Sequence, residues 1–198
     1  MSMGRTLYSL LLYLLAPFAV ARLYWKSREL PAYRERIHER FGFVDDQVAG
    51  AIWVHAVSVG EAQSVEPLIR ALLSRYPDRP VLMTTTTPTG AQRVHSLFGD
   101  QVRQLYMPYD LPGVIGRFLR KVQPAMVLVV ETEIWPNLIA GCHRRGIPLA
   151  MINARMSAPS MKRYRRWVRR LMRRSLQRID PIAAQSEADR ERFETLGA

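Results

Sequence analysis

The stretch Ile52-Trp53-Val54-His55-Ala56-Val57-Ser58-Val59-Gly60-Glu61 marks the point where a predicted strand gives way to a predicted helix. Its first half, residues 52–57, is apolar and β-branched, as expected of a buried strand. Ser58-Val59-Gly60 interrupts this run. From Glu61 onward, apolar residues recur at spacings of three and four, which is the pattern of an amphipathic helix. The stretch therefore places Glu61 at a strand-to-helix turn.

A carboxylate at such a turn has two interpretations. In open parallel α/β sheets, ligands bind at the carboxyl ends of the strands, so Glu61 is a candidate general base. Acidic residues are also common in the first turn of a helix, where they complement the positive end of the helix dipole. Position alone favours the second interpretation.

Strand-like and helix-like segments alternate through the rest of the chain. The predicted strands are residues 52–57, 81–85, 104–106, 126–130, 149–153 and 182–184. The predicted helices are residues 61–75, 89–98, 112–122, 138–145, 160–176 and 187–196. This alternation predicts an α/β fold, with a Rossmann-like parallel sheet covered by helices on both faces.

Polar segments follow the predicted strands and should meet at one edge of that sheet. Glu131-Thr132-Glu133 comes directly after the apolar run at residues 127–130, and Asn153-Ala154-Arg155 follows the next strand. Together with Glu61, these segments predict an edge that holds three carboxylates and an arginine. Either glutamate of the Glu-Thr-Glu sequence is also consistent with a helix cap or an arginine partner.

The bulk composition limits the class of protein. The chain has 198 residues, 48% of them hydrophobic, which is enough for a packed core and one sizeable domain with an appendage. Its 29 basic and 17 acidic residues give a net charge of +12, which indicates an anionic partner. Cys142 is the single cysteine, which is typical of a reducing compartment. The four histidines show no metal-ligand spacing, and no metal is expected.

Residues 7–21 form an apolar segment that is followed by an aromatic and basic cluster at residues 22–28. Fifteen residues are fewer than the roughly 20 that span a bilayer as a helix. The basic flank suits lipid headgroups, so we interpret residues 1–30 as a membrane anchor or interfacial helix on the cytoplasmic side. The alternative is a hydrophobic helix packed on the domain formed by residues 31–198.

A second basic element lies at residues 162–174. It carries eight arginine or lysine residues without an intervening acid, and an apolar stripe lies opposite them at helical spacing. Such charge runs are often a solvated helix face, but this one favours an anionic partner such as a membrane surface.

Nucleotide-binding fingerprints are missing from the sequence. Ser58-Val59-Gly60-Glu61 has one glycine rather than the three of a dinucleotide-binding turn, and there is no P-loop. Thr87-Pro88-Thr89-Gly90 has the composition of a phosphate site at a helix N-terminus, and equally that of an N-cap followed by proline. No cofactor is predicted.

Several motifs in the same order resemble the N-terminal half of bacterial 3-deoxy-D-manno-octulosonic acid (Kdo) transferases. The matching stretches are residues 55–61, 84–90, 106–110, 131–137 and 153–157, together with the apolar N-terminal segment and residues 33–42. The resemblance covers nearly the whole chain. It departs from the family in one respect, because the family's second Rossmann-like domain, which binds the CMP part of the donor, is not in this sequence.

The resemblance implies the acceptor-binding half of an inverting GT-B glycosyltransferase at the cytoplasmic face of the inner membrane. The donor would be CMP-Kdo and the acceptor a lipid A precursor. Glu61 would be the general base, and Glu131 would stabilise the positive charge of the transition state. Residues 1–198 alone are then expected to be inactive.

Two other classes of function fit parts of the pattern. A nucleotide-binding module without catalysis would need this half to bind a nucleotide by itself, which the missing glycine fingerprint disfavours. A nucleic-acid-binding protein built on residues 162–174 would show steeply salt-dependent binding. The apolar N-terminal segment fits that second class poorly, so no nucleic-acid partner is expected.

Overall fold

The computed structural model describes residues 3–44 and 48–198, with only the backbone for residues 165–167. Its strands are β1 (Ile52–His55), β2 (Val81–Thr85), β3 (Val102–Tyr106), β4 (Met126–Val130), β5 (Leu149–Ala154) and β6 (Ile182–Ala184). They form one six-stranded sheet in the order β3-β2-β1-β4-β5-β6, and every neighbouring pair is parallel. The predicted α/β fold with a Rossmann-like parallel sheet is confirmed.

Ten α-helices lie in the described part of the chain. They are α1 (Met3–Lys26), α2 (Ile37–Arg40), α3 (Val59–Ser64), α4 (Glu66–Arg75), α5 (Pro88–Phe98), α6 (Pro112–Val122), α7 (Pro136–His143), α8 (Ala158–Trp167), α9 (Arg169–Leu176) and α10 (Glu187–Leu196). Short 3-10 helices occupy Pro31–Arg34 and Gly99–Gln101.

The helices cover the sheet on both faces because adjacent strand residues point to opposite sides. Trp53 packs with residues of α6, α7, α9 and α10 in one buried layer. Val54, the next residue, packs with residues of α3, α4 and α5 in the other. All four residues of β1 are buried, as expected of a central parallel strand.

Two predicted helices are each divided in the structure. The first breaks at Val65, whose ψ of 2° interrupts the helix before α4 begins at Glu66. Pro67 accounts for this break, because it has no N–H to donate to the Gln63 carbonyl oxygen and its ring would crowd that carbonyl in a continuous helix. The second breaks at Val168, where φ is −135°. No proline or glycine lies at that break, and we have no physical account of it.

The N-terminal helix is longer than its apolar core. Helix α1 has 24 residues, or ~36 Å at 1.5 Å per residue. Residues 7–21 alone are too short to span a bilayer, but the whole helix is not. By length and composition it is long enough to cross a membrane, with a mean hydropathy of 1.6 over its most apolar part. Only 6% of that part is buried. Its large apolar side chains are therefore mostly uncovered.

Helix α1 is attached to the domain through a buried polar contact. The Asn137 side-chain amide donates to Ser9 Oγ at 3.0 Å and to the Asp110 carbonyl oxygen at 2.6 Å. The Asp110 carboxylate in turn accepts the backbone N–H groups of Asn137 at 2.9 Å and Leu138 at 2.7 Å. These are unpaired donors of the first turn of α7, so Asp110 caps that helix and fixes α1 beside it.

Candidate active site

The candidate site lies where the direction of strand order reverses. From β1 the chain adds β2 and β3 on one side of the sheet, then returns to place β4, β5 and β6 on the other. The carboxyl ends of β1 and β4 therefore border the crevice in which open α/β sheets bind ligands. Glu61 follows β1 and Glu131 follows β4, so the topology brings together the two predicted site residues.

Glu61 is held in place by a capping box at the start of α3. Ser58 is the N-cap, and its hydroxyl oxygen accepts the Glu61 backbone N–H at 3.3 Å. The same hydroxyl donates to Glu61 Oε1 at 2.9 Å, and the Val57 backbone N–H donates to Oε2 at 2.7 Å. Glu61 thus does have the structural role that its position suggests. Each carboxylate oxygen still has a lone pair to accept a further proton or hydrogen bond.

Glu131 occupies an unusual backbone conformation at the end of β4. Its φ is 60°, in the left-handed region, and its N–H donates to the Ile152 carbonyl oxygen at 3.0 Å. Asn153, at the end of neighbouring β5, has a φ of 52°. Left-handed geometry costs a non-glycine residue about 1–2 kcal/mol, and such strain tends to occur at functional sites. Both strand ends that adjoin the crevice on this side are therefore turned sharply.

Three carboxylates interact across the crevice. Burial raises the pKa of the Glu61 carboxyl, and the nearby charge of Glu131 raises it further, while hydrogen bonds from Val57 and Ser58 oppose the increase. Burial also raises the pKa of Glu133 to about 7, with contributions from Glu61 and Glu131. Glu133 is therefore partly protonated near neutral pH. Repulsion between neighbouring carboxylates gives them different pKa values, so that one can act as an acid while another acts as a base.

A buried polar network supports the crevice from below. Trp53 Nε1 donates to Thr84 Oγ1 at 2.9 Å, and His55 Nδ1 lies 2.9 Å from the same oxygen and 3.1 Å from the Thr84 carbonyl oxygen. Because the carbonyl can only accept, His55 carries its proton on Nδ1. Burial lowers the pKa of His55 to about 4, so the ring is neutral at pH 7.

The His55 ring lies next to Trp135, which follows the Glu-Thr-Glu segment in the chain. His55 Nε2 is buried without a hydrogen-bond partner in the described structure, whereas the Trp135 side chain interacts with the Glu133 carboxylate and opposes the rise in the pKa of Glu133. The two rings lie edge to face, with centroids 6.3 Å apart. Thr84 and Trp135 lie in two of the stretches that carry the family resemblance, but neither residue was predicted to belong to the site. The signal that points to them is the position of each beside the crevice, which only the topology reveals.

Other polar residues predicted for this edge have different roles. Thr87 caps α5 by accepting the Gly90 N–H at 3.1 Å, so the cap interpretation of that motif is correct. Arg155 is exposed, and Cys142 is buried. Among residues 3–44 and 48–198, no three histidine, cysteine, aspartate or glutamate side chains are arranged so that they could hold a metal ion.

Comparisons with known proteins extend over most of the chain. A family profile described as 3-deoxy-D-manno-octulosonic-acid transferase (kdotransferase) matches residues 35–198. The chain is 40% identical over 198 residues to a 3-deoxy-D-manno-octulosonic acid transferase of Haemophilus influenzae, covering 98% of this chain and 46% of that protein. For the Bordetella pertussis enzyme of the same name, identity is 38% over 206 residues, with coverage of 99% and 47%. The chain spans about half the length of these relatives.

Among solved structures, a UDP-GlcNAc 2-epimerase from Neisseria meningitidis bound to UDP-GlcNAc superposes with a TM-score of 0.51 at 18% identity. The match covers 73% of this chain and 43% of that one. This likeness concerns the fold alone, which is that of one Rossmann-like half of a GT-B-type protein. The family follows from the sequence matches instead: this chain belongs to the 3-deoxy-D-manno-octulosonic acid (Kdo) transferases.

Proposed function

We propose that this chain supplies the acceptor-binding half of a glycosyltransferase that transfers Kdo from CMP-Kdo to a lipid A precursor. The observation that carries the proposal is the fixed Glu61 carboxylate, half-buried at the topological switch point of the sheet. Its raised pKa brings its basicity closer to that needed for removing a proton near neutral pH. Family membership supports the donor and acceptor classes.

In the proposed reaction, Glu61 takes the proton of an acceptor sugar hydroxyl. The resulting oxygen attacks the anomeric carbon of Kdo from the side opposite CMP, and CMP leaves with the bonding electrons, which inverts the configuration at that carbon. The capping box fixes the base, since the hydrogen bonds from Ser58 and Val57 hold both of its oxygens. A base held in one geometry saves the orientational entropy that a mobile side chain would lose.

Glu131 is proposed to stabilise the transition state. As the bond to CMP breaks, positive charge develops on the sugar ring, and a fixed carboxylate nearby offsets it. The turn at φ 60° restricts where the Glu131 side chain can point. Glu133, with a pKa of about 7, is partly neutral near pH 7 and therefore adds less negative charge to the crevice than a fully ionised carboxylate would.

The remaining parts of the proposal concern location and partners. Helix α1, within residues 1–30, would attach the protein to the inner membrane at its cytoplasmic face, because its exposed apolar side chains require a nonpolar environment. Residues 31–198 would bind the acceptor, and a second domain would bind CMP. Without the second domain nothing positions the anomeric carbon, and such positioning accounts for ~7–11 kcal/mol of barrier reduction. We therefore expect no transfer by residues 1–198 alone.

The test is Glu61→Gln in a protein that contains both halves, assayed for Kdo transfer to lipid A precursor. A capping box accepts glutamine as well as glutamate, so the substitution keeps the helix start. The amide oxygen can still accept the Val57 N–H and the amide nitrogen can donate to the Ser58 hydroxyl oxygen, so the hydrogen bond with Ser58 reverses while proton acceptance is lost. Turnover should fall by about two to four orders of magnitude. The control is Glu66→Gln, which changes an exposed ion pair with Arg70 in the next helix and should leave turnover near normal. Near-normal turnover by folded Glu61→Gln would refute Glu61 as the base.

A further inference from the structure

An arginine-lined cavity opens on the face of the domain that carries α1, α7 and α9. Its volume is about 570 Å³, and Arg5, Arg144, Arg174 and Arg178 line it together with His143. Its lining among the described residues contains no aspartate or glutamate. The four arginines come from helix α1, from the residue after α7, from helix α9 and from the turn after α9. The fold thus gathers cations from separate parts of the chain into one concave site.

In the part of the domain that the structure describes, no acidic side chain forms a salt bridge with these arginines. Arg144 and Arg178 both repel the charge of Arg5, which the buried Asp110 offsets only in part. The Arg5 Nε atom is buried without a hydrogen-bond partner. A concave site of unpaired guanidinium groups is complementary to a phosphate, which guanidinium binds through paired hydrogen bonds.

An apolar groove adjoins this cavity. It lies between α1 and the start of α9 and has a volume of about 440 Å³. Leu7, Leu11, Val168 and Leu171 line it, and Arg169 and Arg170 also contribute to its lining. Leu171 also lines the arginine cavity, so the two spaces are neighbours. A ligand that fills both must carry an anionic group at one end and a hydrocarbon chain at the other.

The cavity extends along α7, from Pro136 at its start to Arg144 after its end, and two of its arginines lie away from the candidate active site. Arg144 follows the end of α7 and precedes β5, and Arg178 follows the end of α9 and precedes β6. Both therefore lie toward the amino-terminal ends of the strands, whereas Glu61 and Glu131 lie at the carboxyl ends. Strands of five residues separate these edges by roughly 16 Å. The occupant of the cavity need not be the molecule whose hydroxyl reaches Glu61.

We propose that this cavity and groove form a binding site for one anionic glycerophospholipid of the bilayer. The headgroup phosphate lies among the four arginines, and an acyl chain lies along Leu7, Leu11 and Leu171. Unlike diffuse attraction of the basic surface, such a site fixes one orientation of the domain on the membrane. The proposed lipid site includes neither Glu61 nor Glu131, so its failure would leave the proposed transferase reaction as it stands.

Vesicle binding by matched variants of the chain tests this site. Arg144→Gln with Arg178→Gln removes two charges from the cavity, and Lys162→Gln with Arg163→Gln removes two exposed charges from nearby α8. On vesicles of phosphatidylcholine with about one-third phosphatidylglycerol, the cavity variant should bind at least ~10-fold more weakly than the α8 variant. Equal losses would show that only diffuse surface charge matters and would overturn the proposal.

A charge-preserving variant gives a second, independent decision. Arg144→Lys with Arg178→Lys retains both charges but loses the planar fork that binds phosphate through two hydrogen bonds. It should bind such vesicles at least ~3-fold more weakly than the unchanged chain, whereas diffuse attraction would not distinguish the two. Circular dichroism and urea unfolding establish whether each variant is folded. If the glutamine variant does not fold, the lysine variant alone decides whether the arginines bind a lipid phosphate.

Titration with soluble ligands identifies the chemical source of the phosphate. We expect short-chain phosphatidylglycerol to bind the chain at least ~10-fold more tightly than inorganic phosphate or phosphatidylcholine of equal chain length. Equal binding of inorganic phosphate would make the cavity a free-anion site and overturn the lipid assignment. Equal binding of phosphatidylcholine would assign the affinity to the groove alone and would also overturn it.

Discussion

Replacing Thr84 by valine tests the buried network beneath the candidate active site. Valine has nearly the same shape but no hydroxyl, and Thr84 is fully buried. The substitution leaves the Trp53 indole N–H, now 2.9 Å from Thr84 Oγ1, without an acceptor. His55 Nδ1–H loses the same oxygen but keeps the Thr84 carbonyl at 3.1 Å. One buried donor is therefore left unsatisfied, and the other is not.

The expected loss of stability follows from this one unsatisfied donor. An unsatisfied buried donor costs about 1–3 kcal/mol, so the free energy of unfolding should fall by that amount. The matched control is Thr85→Val, another fully buried threonine on the same strand. Its hydroxyl accepts from Gln104 Nε2 at 3.1 Å, but that amide also donates to the Leu105 carbonyl oxygen at 2.7 Å. We expect less than ~1 kcal/mol for this control.

Urea unfolding monitored by circular dichroism measures both variants, with an unchanged slope as the criterion of two-state behaviour. Adding Trp53→Phe removes the stranded donor, so this second change should cost less in the Thr84→Val background than in the unchanged chain. The difference is a coupling energy of about 1–2 kcal/mol. Equal losses for Thr84→Val and Thr85→Val, or a coupling energy near zero, would refute the proposed network.

Three further changes test the carboxylates and the N-terminal helix. The folded pKa of Glu133, about 7, exceeds its unfolded value, so the stability that this group contributes is present in acid and is lost as pH rises through 7. At pH 8 the free energy of unfolding of Glu133→Gln, measured with urea, should therefore exceed that of the unchanged chain by ~1–3 kcal/mol. Parallel dependences of the two unfolding free energies on pH would contradict this. Glu131→Gln should lower kcat far more than it changes KM. It should also move the acid limb of the pH–rate profile to lower pH, because the Glu131 charge raises the pKa of Glu61. Unchanged turnover would show that Glu131 has only a structural role. Leu14→Glu with Phe18→Glu, at positions 71% and 72% exposed, should weaken binding to vesicles at least ~10-fold without changing unfolding, whereas unchanged vesicle binding would show that α1 does not contact lipid.

Strand positions were predictable from the sequence because buried parallel strands are short, continuous apolar runs. The strands β2, β4 and β6 have the predicted bounds, and the others differ by one or two residues at an end. Helix continuity was less predictable. The break at Val65 follows from Pro67 and could have been read from the sequence, whereas the break at Val168 has no local signal.

The candidate site was predictable only in part. Because the strands are parallel, Glu61 and Glu131 had to lie at the same edge, and the strand order then makes them neighbours across the switch point. The sequence contained no information on which strands adjoin β1. For that reason the proximity of Glu133 to Glu61, and of Trp135 to His55, could not be predicted. The same limit applies to the arginine cavity, whose residues come together only through the packing of α1, α7 and α9.

The buried contact between Ser9 and Asn137 joins residues that are 128 positions apart in the chain. A ribosome adds about 5–20 residues per second, so Asn137 joins the nascent chain ~6–25 s after Ser9. Throughout that interval the partner of α1 does not yet exist, and its apolar side chains have nothing in the domain to cover them. We expect the nascent helix to meet the bilayer first and to dock on α7 only afterwards. Crosslinking of stalled nascent chains shorter than 137 residues to lipid would show this order, and its absence at those lengths would exclude it.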